Sequence, residues 1–324
     1  MSKYLNENND FKEFIKLTAD KTGLSAGIIE KDYWVTRILR ELSTSEYADE
    51  FLFKGGTSLS KVWFKDFGRF SEDIDILLLE NNYTAKRKEQ SLRLNGLVKF
   101  IGELNGVSLI REKSSSFDQN IIGGKFYYDY PCSFKESYPE CIKPEILLEP
   151  GYRGGAHPYS VRPVNSILAE NILLSSNGQI HQDLADYKND ISPFELKVLN
   201  PERIFLEKID AIMNLHRKGI VESGTRHFYD IYNLLQLDSV KALHNNKTEL
   251  LGILQDISAI SQKYYGVKEP ITIQSIKSCD AFSDAYQGLT SLKKRYENEK
   301  ALYYKNQPDF EEIIKAINTF VSGF

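Results

Sequence analysis

Asp73 and Asp75 stand one residue apart in Ser71-Glu72-Asp73-Ile74-Asp75-Ile76-Leu77, and Gly55-Gly56-Thr57-Ser58 lies shortly before them. In a strand, residues two apart point to the same face. Both carboxylates then grip the same cations while Ile74 and Ile76 bury the other side. A Gly-Gly turn that opens a helix lets bare backbone approach a phosphate, and a helix N-terminus favours negative charge. Phosphate cradle plus carboxylate pair suits a metal-dependent reaction on a nucleoside triphosphate. Read alone, Asp-x-Asp is ordinary on a solvated strand; the turn before it gives it meaning.

The elements that must position these residues can be read from pattern. Residues 51–53 form a short apolar strand feeding the glycines. Residues 57–64 read as a helix capped by Thr57 or Ser58. Residues 73–79 read as a strand, and a polar helix covers about 84–104. Upstream, 24–42 carries Ile28, Ile29, Trp34, Val35, Ile38, Leu39 and Leu42 at helical spacing. Segments 107–112, 121–130 and 141–149 are strand-like. Pro150-Gly151 and Gly154-Gly155-Ala156-His157-Pro158 suggest a crossover or linker. Beyond Pro201 the pattern is almost wholly helical. Helices, a mixed α/β core and a helical bundle follow in order, with alternation too irregular for a doubly wound parallel sheet.

Composition sets the class. The chain has 324 residues, 41% hydrophobic and 27% charged, as expected of a globular protein large enough for two domains. Lys+Arg number 41 against Asp+Glu 45, so any surface for nucleic acid must be local. The polar stretch after Met1 has no signal-peptide core, and no apolar run spans a bilayer. The three cysteines (132, 141, 279) and five histidines (157, 181, 216, 227, 244) show no disulfide or metal-ligand spacing. A reducing cytoplasm and no membrane partner are the expectation. Trp34 and Trp63 read as core.

These residues resemble the DNA polymerase beta-type nucleotidyltransferase superfamily: a Gly-Gly turn, a spaced Asp-x-Asp, then a third acid on a later strand. Glu145 in Lys143-Pro144-Glu145-Ile146-Leu147 matches the third acid best. Glu149 would share its strand face, so spacing alone does not choose between them. The ordered set Glu30-Lys31-Asp32-Tyr33-Trp34, Phe53-Lys54-Gly55-Gly56-Thr57-Ser58-Leu59, Arg69-Phe70-Ser71-Glu72-Asp73-Ile74-Asp75, Glu207-Lys208 and Arg226-His227-Phe228-Tyr229-Asp230 is similar to the AbiEii/AbiGii toxins of type IV toxin–antitoxin and abortive-infection systems. The gap between Ser58 and Asp73 is longer than in many polymerase beta-type enzymes. The resemblance implies an α+β fold: N-terminal helices and a nucleotidyltransferase mixed-sheet core over 1–165, and a mainly helical domain over 166–324 contributing Lys208 and Asp230 to the cleft.

The same resemblance implies roles. Asp73 and Asp75 would hold two Mg²⁺ (or Mn²⁺) ions about 3.5–4 Å apart. Glu145 would complete the ligands or accept a proton. Gly55, Gly56, Thr57 and Ser58 would bind phosphates, and Lys208 would face the triphosphate as a point charge. Asp230 would orient Lys208 or touch the nucleotide; the plainer reading is an i,i+4 salt bridge with Arg226. Arg69 neutralises the triphosphate or pairs with Glu72. Arg226 with His216-Arg217-Lys218 offers a basic groove, and His227 is a helix-surface or packing residue. Lys31 and Asp32 fit the family without a derivable role. The implied reaction moves a nucleoside monophosphate from NTP to an acceptor, releasing pyrophosphate. The implied acceptor is the 3′ end of tRNA, which would block translation and serve phage defence. A cognate antitoxin, without a stable complex, is implied as partner. The rivals are an enzyme modifying a protein or small molecule, and a nucleotide-binding protein with no transfer activity.

Overall fold

Phe51, Leu52 and Phe53 are all but sealed from water, and the strand they form is central for that reason. Burying each side chain contributes about 1.5–3 kcal/mol. The structure is a computed structural model describing residues 3–71, 73–80, 86–117, 121–140, 142–267, 269–305 and 307–324. Its sheet has seven strands: β1 (Phe51–Lys54), β2 (Ile74–Leu78), β3 (Ser108–Leu109), β4 (Phe126–Asp129), β5 (Ile146–Gly151), β6 (Tyr159–Val164) and β7 (Phe194–Leu199), in the order β3-β4-β5-β2-β1-β7-β6. β1 pairs antiparallel with β2 and parallel with β7; β2 pairs parallel with β5; β4 runs antiparallel to β5 and β3. The sheet is therefore mixed, and the fold is α+β as the sequence implies.

The chain forms two compact units. One comprises Met1–Lys65, Ser71–Tyr152 and Val161–Val198; the other comprises Asp66–Phe70, Arg153–Ser160 and Leu199–Phe324. In the first, helices α1 (Phe11–Thr22) and α2 (Ala26–Thr44) precede β1, and the Ser25 side chain caps α2 by accepting from Ile28 N at 3.4 Å. A short helical turn, α3 (Gly55–Ser58), then α4 (Arg87–Gly102), α5 (Ile167–Ser175) and α6 (Lys188–Ile191) complete it. In the second unit, α7 (Pro201–Arg217) opens with proline at its first position, where no N–H is needed, and closes on His216 and Arg217. Helix α8 (Thr225–Leu234) packs on α7, and helices Lys247–Tyr265, Leu289–Asn298 and Phe310–Ser322 follow. No helix among the described residues is long and apolar enough to cross a membrane.

Several elements differ from the sequence reading. The helix expected over 57–64 is α3 followed by a π-helical turn, Leu59–Trp63. Neither Thr57 nor Ser58 caps it: Lys54 holds the cap position, and no side chain bonds there. The strand expected over 107–112 shrinks to β3. Pro150 and Gly151, read as part of a crossover or linker, belong to β5, and the chain beyond residue 158 goes on to form β6, α5 and β7. Phe194-Glu-Leu-Lys-Val-Leu does alternate, as a half-buried strand must; Pro163 in β6 is tolerated because β6 is the sheet edge. Trp34 is core at 1% exposure, whereas Trp63 is only half-buried, with the Arg162 guanidinium 4.7 Å above its ring.

Candidate active site

Gly55 ends β1 with φ at +78°, a left-handed conformation that strains any residue with a β-carbon. The same position lies against Asp75: a β-carbon there would overlap the Asp75 carboxylate. Glycine turn and carboxylate strand are thus in direct contact, with Lys54 and Asp75 as register partners. The hydroxyls of the turn are committed internally. Ser58 Oγ donates to Gly55 O at 2.8 Å, and Thr57 Oγ1 donates to Ser71 Oγ at 3.0 Å. Both side chains are buried. What the turn presents is backbone, since the first N–H groups of a helix have no intrahelical acceptor. Gly55→Ala is expected to destabilise the protein by about 1–2 kcal/mol from backbone strain alone and to lower transferase activity by moving Asp75. A melting curve and a rate assay on the same sample check both.

Strand register decides what stands beside the aspartates. β2 and β5 run parallel with Asp75 opposite Glu149 and Ile74 opposite Leu148. Ile74, Ile76, Ile146 and Leu148 are buried, leaving Asp75 and Glu149 on the half-buried face. Lys125 Nζ bonds Glu149 Oε1 at 2.8 Å. That hydrogen bond, with the nearby charges of Glu149 and Asp73, raises the lysine's pKa. Glu145 lies before β5 begins, and Lys113 Nζ contacts its Oε2 at 2.5 Å. Among the described residues, no group of three or more His, Cys, Asp or Glu side chains is placed so that it could hold a metal ion. Glu72 and Cys141 lie outside the described residues.

The second unit holds a charged triad. Asp230 on α8 is fully buried. Its Oδ1 accepts from Arg69 Nε at 2.6 Å, its Oδ2 from Arg69 Nη2 at 2.7 Å, and Lys208 Nζ on α7 reaches Oδ2 at 2.7 Å. Burial alone would raise the Asp230 pKa; Arg69 and Lys208 outweigh it and hold the carboxyl at about 2. Lys208 and Asp230 thus meet, as expected, but the cation completing the set is Arg69, 161 positions away in sequence. Arg226 is exposed instead of bridging to Asp230, and Arg217 and Lys218 are exposed too.

Arg69 is itself held by its surroundings. It bridges to Tyr303, Phe70 N donates to Leu302 O at 2.8 Å, and Tyr229 Oη donates to Phe67 O at 2.7 Å. His227, read as a surface or packing residue, is largely enclosed. Burial, and then the charge of Lys208, pull its pKa down to about 3, so the ring is neutral. His227 Nδ1 and Tyr303 Oη are buried without a hydrogen-bond partner among the described residues. Sequence reasoning did not single out Lys125 or Tyr303; no local pattern marks a lysine or a tyrosine brought in from a distant segment.

The whole-chain pattern has a known counterpart. The model of the family described as "Nucleotidyl transferase AbiEii toxin, Type IV TA system" matches residues 37–316. This chain is a member of the AbiEii toxin family. It is accordingly a nucleotidyltransferase of the toxin class of type IV toxin–antitoxin systems, a class that implies an NTP substrate and an antitoxin. No curated protein matches the sequence. Among solved structures, the AbiEii fold here is similar to MenT4, a nucleotidyltransferase toxin from Mycobacterium tuberculosis H37Rv. Identity is 14%, 95% of this chain and 98% of that one are covered, and the TM-score is 0.51. JHP933 from Helicobacter pylori matches at 15% identity and a TM-score of 0.44, over 92% of each chain.

Proposed function

We propose that this AbiEii enzyme transfers a nucleoside monophosphate from NTP to the 3′ end of tRNA in a divalent-metal-dependent reaction. The observation that carries this reading is the packing of Gly55 against Asp75, with Glu149 in register beside it. The donor set suits Mg²⁺ or Mn²⁺: carboxylate oxygens only, one or two of which suffice when substrate phosphates complete the coordination. Asp73 and Asp75 would hold the metal, with Glu149, or Glu145 as the alternative, as the third acid. Register favours Glu149. When bound, the metal offsets charge on the phosphates and makes an acceptor hydroxyl more acidic.

The remaining roles belong to the chain. Gly56 to Ser58 offer backbone N–H groups to phosphate oxygens. The third acid accepts the proton of the attacking hydroxyl. Lys208, oriented by Asp230, supplies positive charge to the triphosphate. Arg69 serves by fixing Asp230 and not by touching phosphate, because its guanidinium is buried and saturated on one edge. Asp230 acts through Lys208, which makes it a positioning residue. Exposed Arg217, Lys218 and Arg226 are the candidates for RNA backbone contact. The cognate antitoxin counteracts the toxin without a stable complex, and the toxin acts in the cytoplasm on translation.

Incubating the purified protein and total RNA with each labelled NTP tests this. Label is expected at the 3′ ends of tRNA, from one or few of the four nucleotides, and only with Mg²⁺ or Mn²⁺. Label in protein but never in RNA would overturn the tRNA assignment.

A further inference from the structure

Glu30, Lys31 and Asp32 are three consecutive charged residues in α2; the first two are buried and the Asp32 side chain is 13% exposed. Glu30 and Lys31 are 0% and 4% exposed. Consecutive helix positions are about 100° apart, so the three point to different neighbours. A buried charge is costly unless paired, and each one is. Glu30 accepts from the backbone N–H of Ser133 at 2.9 Å and of Phe134 at 3.1 Å. Lys31 Nζ donates to the carbonyl of Lys143 at 2.8 Å, three residues before β5 begins. Asp32 divides its two oxygens: Oδ2 accepts from Ile167 N at 2.8 Å, and Oδ1 takes Lys61 Nζ at 2.5 Å.

Lys61 is the informative partner. Its side chain is 5% exposed, and its ammonium also donates to Thr36 Oγ1 at 2.6 Å. It sits inside the π-helical turn Leu59–Trp63, directly after Gly55–Ser58. That turn is closed by Phe64 N donating to Leu59 O at 3.0 Å. An i→i+5 turn is rare and is frequently found at functional sites. Glu170 feels the charges of Asp32, Lys61 and Lys65. Asp32 therefore anchors the far side of the element whose near side is the proposed phosphate cradle.

We propose that Asp32 and Lys61 are positioning residues for the nucleotide's phosphates: the buried pair fixes the π turn and thereby the backbone of Gly56 to Ser58. The proposal rests on the reading of that turn as the phosphate site. It predicts a defect in nucleotide binding separable from a defect in folding.

Two variants separate these. In Asp32→Asn/Lys61→Met the asparagine still accepts from Ile167 N, and no unpaired charge is left buried. Lys61→Met alone removes only the ammonium. Each is melted, and then titrated at 10 °C with a non-hydrolysable NTP and Mg²⁺, binding being normalised to the folded fraction. The double variant is expected to melt within about 4 °C of wild type. Its nucleotide affinity should be weaker by 10-fold or more, with KM for NTP raised and kcat within about 3-fold. Wild-type affinity and KM in the folded fraction of either variant would overturn the proposal. Asp75→Asn, measured alongside, keeps the two readings apart. If wild type binds NTP and Asp75→Asn abolishes transfer while the pair variants match wild type, only this inference fails. If wild type binds no NTP, the phosphate site itself fails.

Discussion

Asp75→Asn is expected to abolish nucleotide transfer, by on the order of 10³-fold or more, while leaving the fold unchanged. The substitution keeps the side chain's size and its place against Gly55. It removes the negative charge that a divalent cation needs. The expected result is a protein with the wild-type melting curve that incorporates no label and is tolerated when expressed in a bacterial host. Asp73→Asn should behave alike. Glu149→Gln and Glu145→Gln measured in parallel then identify the third acid, as the one whose loss matters more. Growth arrest by Asp75→Asn equal to that of wild type would remove the catalytic account of toxicity.

Asp230→Ala is expected to act on stability first. It leaves the Arg69 guanidinium, itself buried, and the Lys208 ammonium without their shared counter-ion. Breaking a buried pair from one side costs about 3–5 kcal/mol, which denaturant titration measures directly. The triad also makes stability depend on pH. The Asp230 carboxyl is held at about 2 against an ordinary 3.8. Its contribution is complete above the ordinary value and disappears as pH falls from there towards 2. His227 adds to the same trend from higher pH. Its folded pKa of about 3 lies below the ordinary 6.5, so the unfolded chain binds a proton that the folded chain refuses. Stability should therefore decline on acidification from pH 6.5 downward. His227→Gln should flatten the upper part of that decline, and Asp230→Ala the lower part. A pH-independent melting temperature between 3 and 6.5 would contradict the assignment for His227.

What was legible in the sequence was local. Gly55-Gly56 before Asp73-Ile74-Asp75 announced both the turn and the carboxylate face, because glycine's freedom and the two-residue period of a strand are properties of neighbouring residues. Which of Glu145 and Glu149 stands beside Asp75 was not legible: they share a parity, and only the pairing of β5 with β2 puts Glu149 opposite Asp75. Arg226 and Asp230 had helical spacing for an ion pair, yet Asp230 binds Arg69 and Lys208. Local geometry permits an i,i+4 bridge of a few tenths of a kcal/mol; a buried carboxylate demands stronger partners, wherever they lie in sequence. Lys31 and Asp32 carried no derivable role for the same reason. Which charges are buried is decided by what packs over them. The strand Phe194–Leu199 is a different case, since its alternation is present in the sequence itself.

The pairing of Arg69 with Asp230 sets a timetable for synthesis. At about 5–20 residues per second, the ribosome adds the 161 positions between them in roughly 10–30 s. Through that interval the guanidinium waits for its counter-ion, and Lys208 is not yet oriented. Nascent chain that stops short of Asp230 cannot assemble this triad. A host therefore meets the assembled triad only after the ribosome has passed the codon for Asp230.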